Sequence, residues 1–405
     1  MSSQTKLLLI PCSGEETVTL ATKIHDVLRQ DYHLEHQVEL LYSQLRDKVP
    51  KEVPKAHRHP LVGDYFPDAE IQVDIGANEL KDVVRGKHVV LIEHLLTPYR
   101  KSSTGESVSI NDHHMTVRGF LEVTKNVDTL HRTLAAPYLT YVRSHSVEKY
   151  KKSGFFQFDS LRTTLIDYQK GGLNSLIAID PHSMLSAQIA EELGIDFHAI
   201  NPFQSGRAIN PFKLGLSGSK AHSILKRLRP FQERFAQMRK QNQHLYLVSV
   251  DDGTEHRVEN FTERAYGRLS PEKAYARLAY HGKERVSYDH SPVWFKPFSP
   301  IQESSIDKEG TFIIIDDMFA SGGTAQRVAE IYKKQGAKRV EVWTSHAVTM
   351  PAQHLKANDR SYIDQVVCLD TVPQHPDLKI DFISASADLL AAELYKTHQK
   401  LVASR

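Results

Sequence analysis

Two adjacent carboxylates followed closely by a glycine-rich turn have the chemistry to hold a sugar phosphate. The segment Phe312-Ile-Ile-Ile-Asp-Asp-Met-Phe-Ala-Ser-Gly-Gly-Thr324 offers that combination. Helix N-termini present unpaired backbone N–H groups and a partial positive charge. Gly322 and Gly323 let the backbone approach an anion closely and adopt positive φ. Ser321 and Thr324 add hydroxyl donors. Asp316 and Asp317 would repel a bare phosphate, but they suit ribose hydroxyls, bound directly or through Mg²⁺. The bland alternative is an Asp-Asp turn before a helix; the length of the pattern favours the functional reading.

Other residues offer chemistry on weaker local grounds. Asp180-Pro-His182 follows an apolar run, and a His at a strand end is by itself more often structural. Ser249-Val-Asp-Asp-Gly253 places an acid where a hard cation could be met; Asp251 is preferred over Asp252, and an ordinary turn acid is as good a local reading. In Phe66-Pro-Asp-Ala-Glu70, Phe66 can stack on a purine, and Asp68 and Glu70 can accept from its amino group. A simple strand start explains the same residues. Lys283-Glu-Arg285 taken alone is a surface triplet.

These residues need elements to position them. Leu7–Ile10, His88–Ile92, Ser175–Ile179, Leu245–Val250, Phe312–Ile315 and Val340–Thr344 read as short, buried parallel strands. Helical patterns at Glu16–Arg29, Leu185–Leu193 and Thr324–Gln335 follow three of them, the last closing at Gly336. Alternation of strand and helix predicts an α/β fold with its chemistry at the carboxyl ends of the strands. Three segments read as polar excursions: 99–109, 204–243 with a basic stretch at 220–240, and 288–309. The basic stretch is read as a solvated face or a subunit contact in preference to a nucleic-acid site.

The chain has 405 residues, enough for two domains of roughly 150–200 residues each. Hydrophobic residues at 40% and charged residues at 25% are those of a globular protein, and a net charge of +2 gives no global case for nucleic acid or membrane. Cys12 and Cys368 form no disulfide framework or metal spacing, so a reducing cytoplasm is expected. No apolar stretch approaches membrane length. The 22 histidines are expected mainly at the surface or at interfaces.

With these motifs in order, the sequence resembles the ribose-phosphate diphosphokinase (phosphoribosyl-diphosphate synthetase) family as a divergent member. Segment 312–324 resembles its phosphoribosyl-diphosphate motif, which type I phosphoribosyltransferases share. Gly336–Ala347 and Ile363–Pro373 resemble its C-terminal part. The likeness covers most of the chain, with insertions at the three excursions. It implies two type I phosphoribosyltransferase-like domains, 1–200 on the ATP side and 201–385 with the phosphate loop. A C-terminal helix, 386–405, is expected to pack back on the first domain.

The resemblance also implies roles. Phe66, Asp68, Glu70 and Arg143 would bind ATP. His182 would hold the Mg²⁺ of Mg-ATP, and Asp251 would approach a second Mg²⁺ or the sugar. Lys283 and Arg285 would belong to a flexible catalytic loop closing over the transferring diphosphate. Asp316 and Asp317 would take the ribose hydroxyls, and Ser321, Gly322, Gly323 and Thr324 the 5-phosphate. The implied reaction transfers diphosphate from ATP to ribose 5-phosphate and leaves AMP, in a homo-oligomer, dimer or hexamer.

The sequence departs from the family in three places. Ala320 stands where an acid is usual, Ser144-His145 replaces Gln-Asp after Arg143, and Glu284 replaces the middle Arg of the loop triplet. These departures leave the acceptor open. A larger 5-substituted ribose such as ADP-ribose is one alternative; a phosphoribosyltransferase and a non-catalytic regulatory paralogue are the others.

Overall fold

The structure is a computed structural model. It describes residues 5–41, 64–65, 70–73, 83–102, 105–143, 154, 158–183, 185–204, 218–241, 244–266, 271–283 and 292–404. Phe66, Asp68 and Arg285 lie outside them. Two compact units divide the chain. The first comprises Met1–Ile200, Thr371–Pro373 and Ser386–Arg405; the second comprises Asn201–Asp370 and Gln374–Ala385.

The first unit runs β1 (Leu7–Pro11), α1 (Gly14–Gln30), β2 (Val38–Leu40), β3 (Asp64–Tyr65), β4 (Ile71–Gln72), β5 (His88–Ile92), α2 (Ile110–Lys125), β6 (His131–Ala136), α3 (Ser160–Lys170), β7 (Ser175–Ile179), α4 (Leu185–Glu192) and β8 (Asp196–Ile200). Six strands form a parallel sheet in the order β2-β1-β5-β6-β7-β8, while β3 and β4 pair apart from it. Every residue of β1, β5 and β7 is buried, as expected for strands covered on both faces. Helix α1 buries Thr17, Leu20, Ala21, Ile24 and Leu28, one stripe at helical spacing. Glu15 and Glu16 in its first turn and Arg29 in its last complement the helix dipole. The C-terminal helix, Ser386–Ala403, packs on this unit: Tyr395 stacks on Tyr32 at 4.8 Å between ring centroids, and Glu393 meets His198 at 2.9 Å.

The second unit runs α5 (Gly218–Arg227), α6 (Pro230–Gln241), β9 (Leu245–Ser249), α7 (Asp252–Ala265), α8 (Pro271–Tyr275), β10 (Leu278–Lys283), β11 (Val293–Phe295), β12 (Thr311–Phe319), α9 (Gly323–Lys334), β13 (Arg339–Ala347), α10 (His354–Asn358), β14 (Gln365–Leu369) and β15 (Asp381–Ile383). Its seven strands lie in the order β11-β10-β9-β12-β13-β14-β15 and are parallel except for the edge strand β11. Both units therefore have the expected α/β architecture, a mostly parallel sheet flanked by helices.

Several expectations need correction. The basic stretch 220–240 is not merely a solvated face: α5 buries Ala221 and Ile224, and α6 buries Phe231 and Phe235. Phe231 stacks on the buried Trp343 at 5.9 Å, and the Arg234 guanidinium lies over the same indole at 5.7 Å. The basic residues occupy the remaining faces of two amphipathic helices. Within 288–309, β11 adds an antiparallel edge to β10. Histidine is also less superficial than expected: His88, His94, His113, His281, His346 and His398 are buried. Hydrogen-bond partners make this tolerable, such as Thr133 for His88 at 2.8 Å and Thr97 for His113 at 2.7 Å.

Candidate active site

The topology of the second unit creates one privileged crevice. From β9 the chain crosses through α7 to β10 on one side, and from β12 it crosses through α9 to β13 on the other. Because β9 and β12 are neighbours, their carboxyl ends form the point where the winding reverses, where α/β sheets bind ligands. Asp251 follows β9, and Asp316 and Asp317 lie in β12 beside it.

Strand β12 is longer than its apolar run suggests. It continues to Phe319 because β13 is equally long and pairs with it up to Phe319 and Ala347. The two acids are thus held within a strand, Asp316 opposite Thr344, instead of at its end. Asp317 is buried and Asp316 is partly exposed. The Asp317 N–H donates to Oδ1 of Asp316 at 2.9 Å. Burial first, then the Asp317 carboxylate beside it and Asp251 nearby, push the Asp316 carboxyl well above the usual carboxylate range. A cation or a set of hydroxyl donors would relieve that strain.

After β12 the chain turns at Ala320–Gly322. Gly322 has φ 75° and caps α9. A Cβ there would lie 2.7 Å from the Phe319 ring, so glycine is required by conformation and by space. Gly322 offers the helix no side-chain cap, so the first N–H groups of α9 remain available to an anion. The turn is braced from behind by Thr349, whose hydroxyl donates to the Ala320 carbonyl at 2.8 Å. Ser321, Gly322, Gly323 and Thr324 are all partly exposed around the helix start.

Lys283 ends β10, the neighbour of β9, and so reaches the same crevice. It sits in a strand, where the resemblance places it in a flexible loop. Its Nζ meets Oδ2 of Asp251 at 2.6 Å. The other oxygen of Asp251 accepts the Thr254 N–H at 3.1 Å in a capping box at the start of α7. Both oxygens of Asp251 are therefore engaged. Asp252 is exposed and pairs with Lys296, which also meets Glu255 at 2.5 Å. The Lys283–Asp251 pair and Arg327, on the first turns of α9, were not legible from spacing, since strand order alone brings Lys283 to Asp251.

The remaining expected residues belong to the first unit. Arg143 and Glu70 are exposed. Asp180 is buried with φ 42°, a left-handed turn that leads to the exposed His182. Among the described residues, no three His, Cys, Asp or Glu side chains converge as a metal cage. Mg²⁺ does not need one, because it keeps most of its waters and takes one or two carboxylates beside substrate phosphates. The hard oxygens of Asp316 and Asp317 fit that requirement.

The winding of the first unit reverses between β1 and β5, but protein groups fill that point. Glu93 is fully buried and accepts from Ser13 and from His113 at 2.5 Å, while Arg100 donates to Ser13 at 2.8 Å. Gly14, with φ 68°, starts α1 there, but the Arg100 guanidinium occupies the space beside it, 2.7 Å from where a Cβ would lie.

No family profile matches the chain. Among curated proteins, it is 25% identical over 346 residues to a ribose-phosphate pyrophosphokinase of Prochlorococcus marinus subsp. pastoris, covering 84% of each. A ribose-phosphate pyrophosphokinase of Nostoc is 22% identical over 348 residues, covering 84% of this chain and 83% of that one. A shorter stretch of 68 residues is 43% identical to the Pasteurella multocida protein of the same name, 16% of this chain and 21% of that one. Among solved structures, phosphoribosylpyrophosphate synthetase from Mycobacterium smegmatis superposes with a TM-score of 0.65, covering 99% of this chain and all of that one at 16% identity, a likeness of fold. The chain is thus similar along most of its length, at low identity, to ribose-phosphate pyrophosphokinases, and it shares its fold with a phosphoribosylpyrophosphate synthetase.

Proposed function

We propose that the protein transfers the diphosphate of ATP to the anomeric hydroxyl of ribose 5-phosphate, giving 5-phosphoribosyl 1-diphosphate and AMP. The observation that carries this reading is the acid pair on β12 leading into an uncapped, glycine-started helix at the winding reversal. Carboxylates there suit sugar hydroxyls, and the helix start suits the 5-phosphate.

The attacking hydroxyl displaces AMP from the β-phosphorus. Charge grows on the transferring group and on the bridging oxygen, so positioning and cationic stabilisation supply most of the rate. Lys283 is the cation of this unit for that task. Asp251 holds it at 2.6 Å, and substrate phosphates would compete for its ammonium. Asp316 and Asp317 orient the ribose, and Ser321–Thr324 hold its phosphate. Mg²⁺ would neutralise ATP phosphates, with Asp316 and Asp317 as its hard-oxygen ligands in this unit. Arg143, His182 and Glu70, with Phe66, Asp68 and Arg285 outside the described residues, keep the nucleotide, metal and loop roles that the resemblance implies. Assembly as a homo-oligomer in the cytoplasm belongs to the same reading; among the described residues no helix is long and apolar enough to cross a membrane.

The test is AMP formation from ATP and Mg²⁺ with ribose 5-phosphate, run beside ADP-ribose and beside a nucleobase with the preformed diphosphate sugar. AMP released only with ribose 5-phosphate supports the reading. Turnover confined to either of the other pairs overturns it.

A further inference from the structure

Arg327 is a basic residue of the phosphate loop that no motif announced. It stands four residues after Gly323 on α9, hence on the same helix face. Helical side chains lean toward the N-terminus, so residue 327 covers the first turn. A Cβ on Gly323 would lie 3.7 Å from Nη1 of Arg327 and 3.8 Å from Oγ of Ser321. The guanidinium and the hydroxyl thus flank the space that Gly323 leaves open at the helix start.

Arg327 is itself partly exposed. Nε of Arg327 is shielded from solvent without a hydrogen-bond partner, and among the described residues no carboxylate pairs with it. A buried, unsatisfied guanidinium N–H is costly, which makes it a poor choice for a purely structural position. The charge of the expected ligand supplies the missing partner. A phosphate monoester carries roughly −1.5 to −2 at neutral pH, and a helix N-terminus offsets only about half a unit. Asp316 and Asp317 worsen the balance.

Resting on the sugar-phosphate reading above, we propose that Arg327 is the residue that selects a terminal phosphate monoester on the acceptor. The α9 N–H groups and the Ser321 and Thr324 hydroxyls engage part of the phosphate, and the guanidinium takes the remaining charged oxygens. A disubstituted diphosphate, as in ADP-ribose, has one charge per phosphorus and no free terminal group to complete that set. The acceptor class is therefore a pentose 5-phosphate with an unsubstituted phosphate.

Arg327→Gln and Arg327→Lys test this on the full chain. Expected is a roughly 10- to 100-fold weaker binding of ribose 5-phosphate by Arg327→Gln in calorimetry. Its KM for the sugar should rise in step while kcat and the KM for ATP hold, and Arg327→Lys should recover part of the loss. Without ligand, Arg327→Gln should melt no lower than the wild type. Unchanged sugar affinity in an active Arg327→Gln overturns the inference and leaves the proposed function standing; so does a marked loss of ligand-free stability. If the wild type makes no AMP from ribose 5-phosphate, the proposed function falls instead. The anion role is then read from inorganic phosphate: thermal stabilisation of the wild type that Arg327→Gln abolishes supports it, and no stabilisation of the wild type overturns it.

Discussion

Individual residues in the second unit separate chemical from conformational roles. Lys283 is positioned by a strand and held by one acid. Lys283→Ala should lower kcat by about 10²-fold or more with little change in the KM for ribose 5-phosphate, because its charge acts on the transferring group. Steady-state kinetics with varied sugar would show the split; a variant retaining full kcat would remove Lys283 from the mechanism. Gly322→Ala tests conformation instead. It combines a positive φ with a collision against Phe319. Destabilisation of about 1–2 kcal/mol in denaturant unfolding is expected, with weaker sugar binding. The glycine turn and acid pair were legible in the sequence because their requirements are local: a left-handed residue at a helix start and carboxylates beside an apolar run. The Lys283–Asp251 pair was not, because its members are far apart in the chain and only β9–β10 adjacency joins them. Arg327 was hidden for a similar reason, since a basic residue on an amphipathic helix looks like any solvated one until its place beside the Gly323 turn is seen.

Among the elements, strands and helices with strong periodicity were read correctly from apolar runs such as Leu7–Ile10 and Ser175–Ile179. Mixed segments were not. Strand β6 begins His-Arg-Thr and β8 carries Asp196 and His198 and buries only Ile200, and only sheet neighbours make them strands. Helices α5 and α6 were obscured by Lys and Arg on their outer faces. Their role in packing makes a clear prediction: Phe231→Ala should destabilise the protein by about 3–4 kcal/mol, the cost of emptying a buried aromatic site against Phe203 and Trp343. Replacing exposed Lys226 and Lys240 by Gln should change stability by less than about 0.5 kcal/mol. Equal effects from the two changes, measured by urea unfolding, would contradict this packing.

The whole molecule stores an acid sensitivity in its buried histidines. Burial, with neighbouring histidines, holds His88 well below its ordinary value, and burial lowers His398 to about 4, His281 to about 4 and His114 to about 3. His88 and His398 face each other at 3.2 Å. Their folded forms are neutral where the unfolded chain takes up protons, so stability is full above about 6.5 and falls as pH drops toward 4. His198 works in the opposite sense: its value is raised, mainly by Glu393 and Asp196 against the cost of burial, so its contribution fades as pH rises. Burial lowers His25 and His131 as well, and six lowered histidines against one raised among the described residues predict a melting temperature that declines from pH 7 to pH 5. His398→Asn should flatten that decline, and an unchanged slope would show that the ring pair does not govern it.

The central claim is that this molecule moves an intact diphosphate onto a pentose phosphate. ATP labelled in its β-phosphate, incubated with Mg²⁺ and ribose 5-phosphate, tests it most directly. The label should leave the nucleotide and appear in a diphosphate on C1 of the sugar, with unlabelled AMP as the second product. Label retained in ADP, or released as inorganic phosphate without a labelled sugar, would contradict the account.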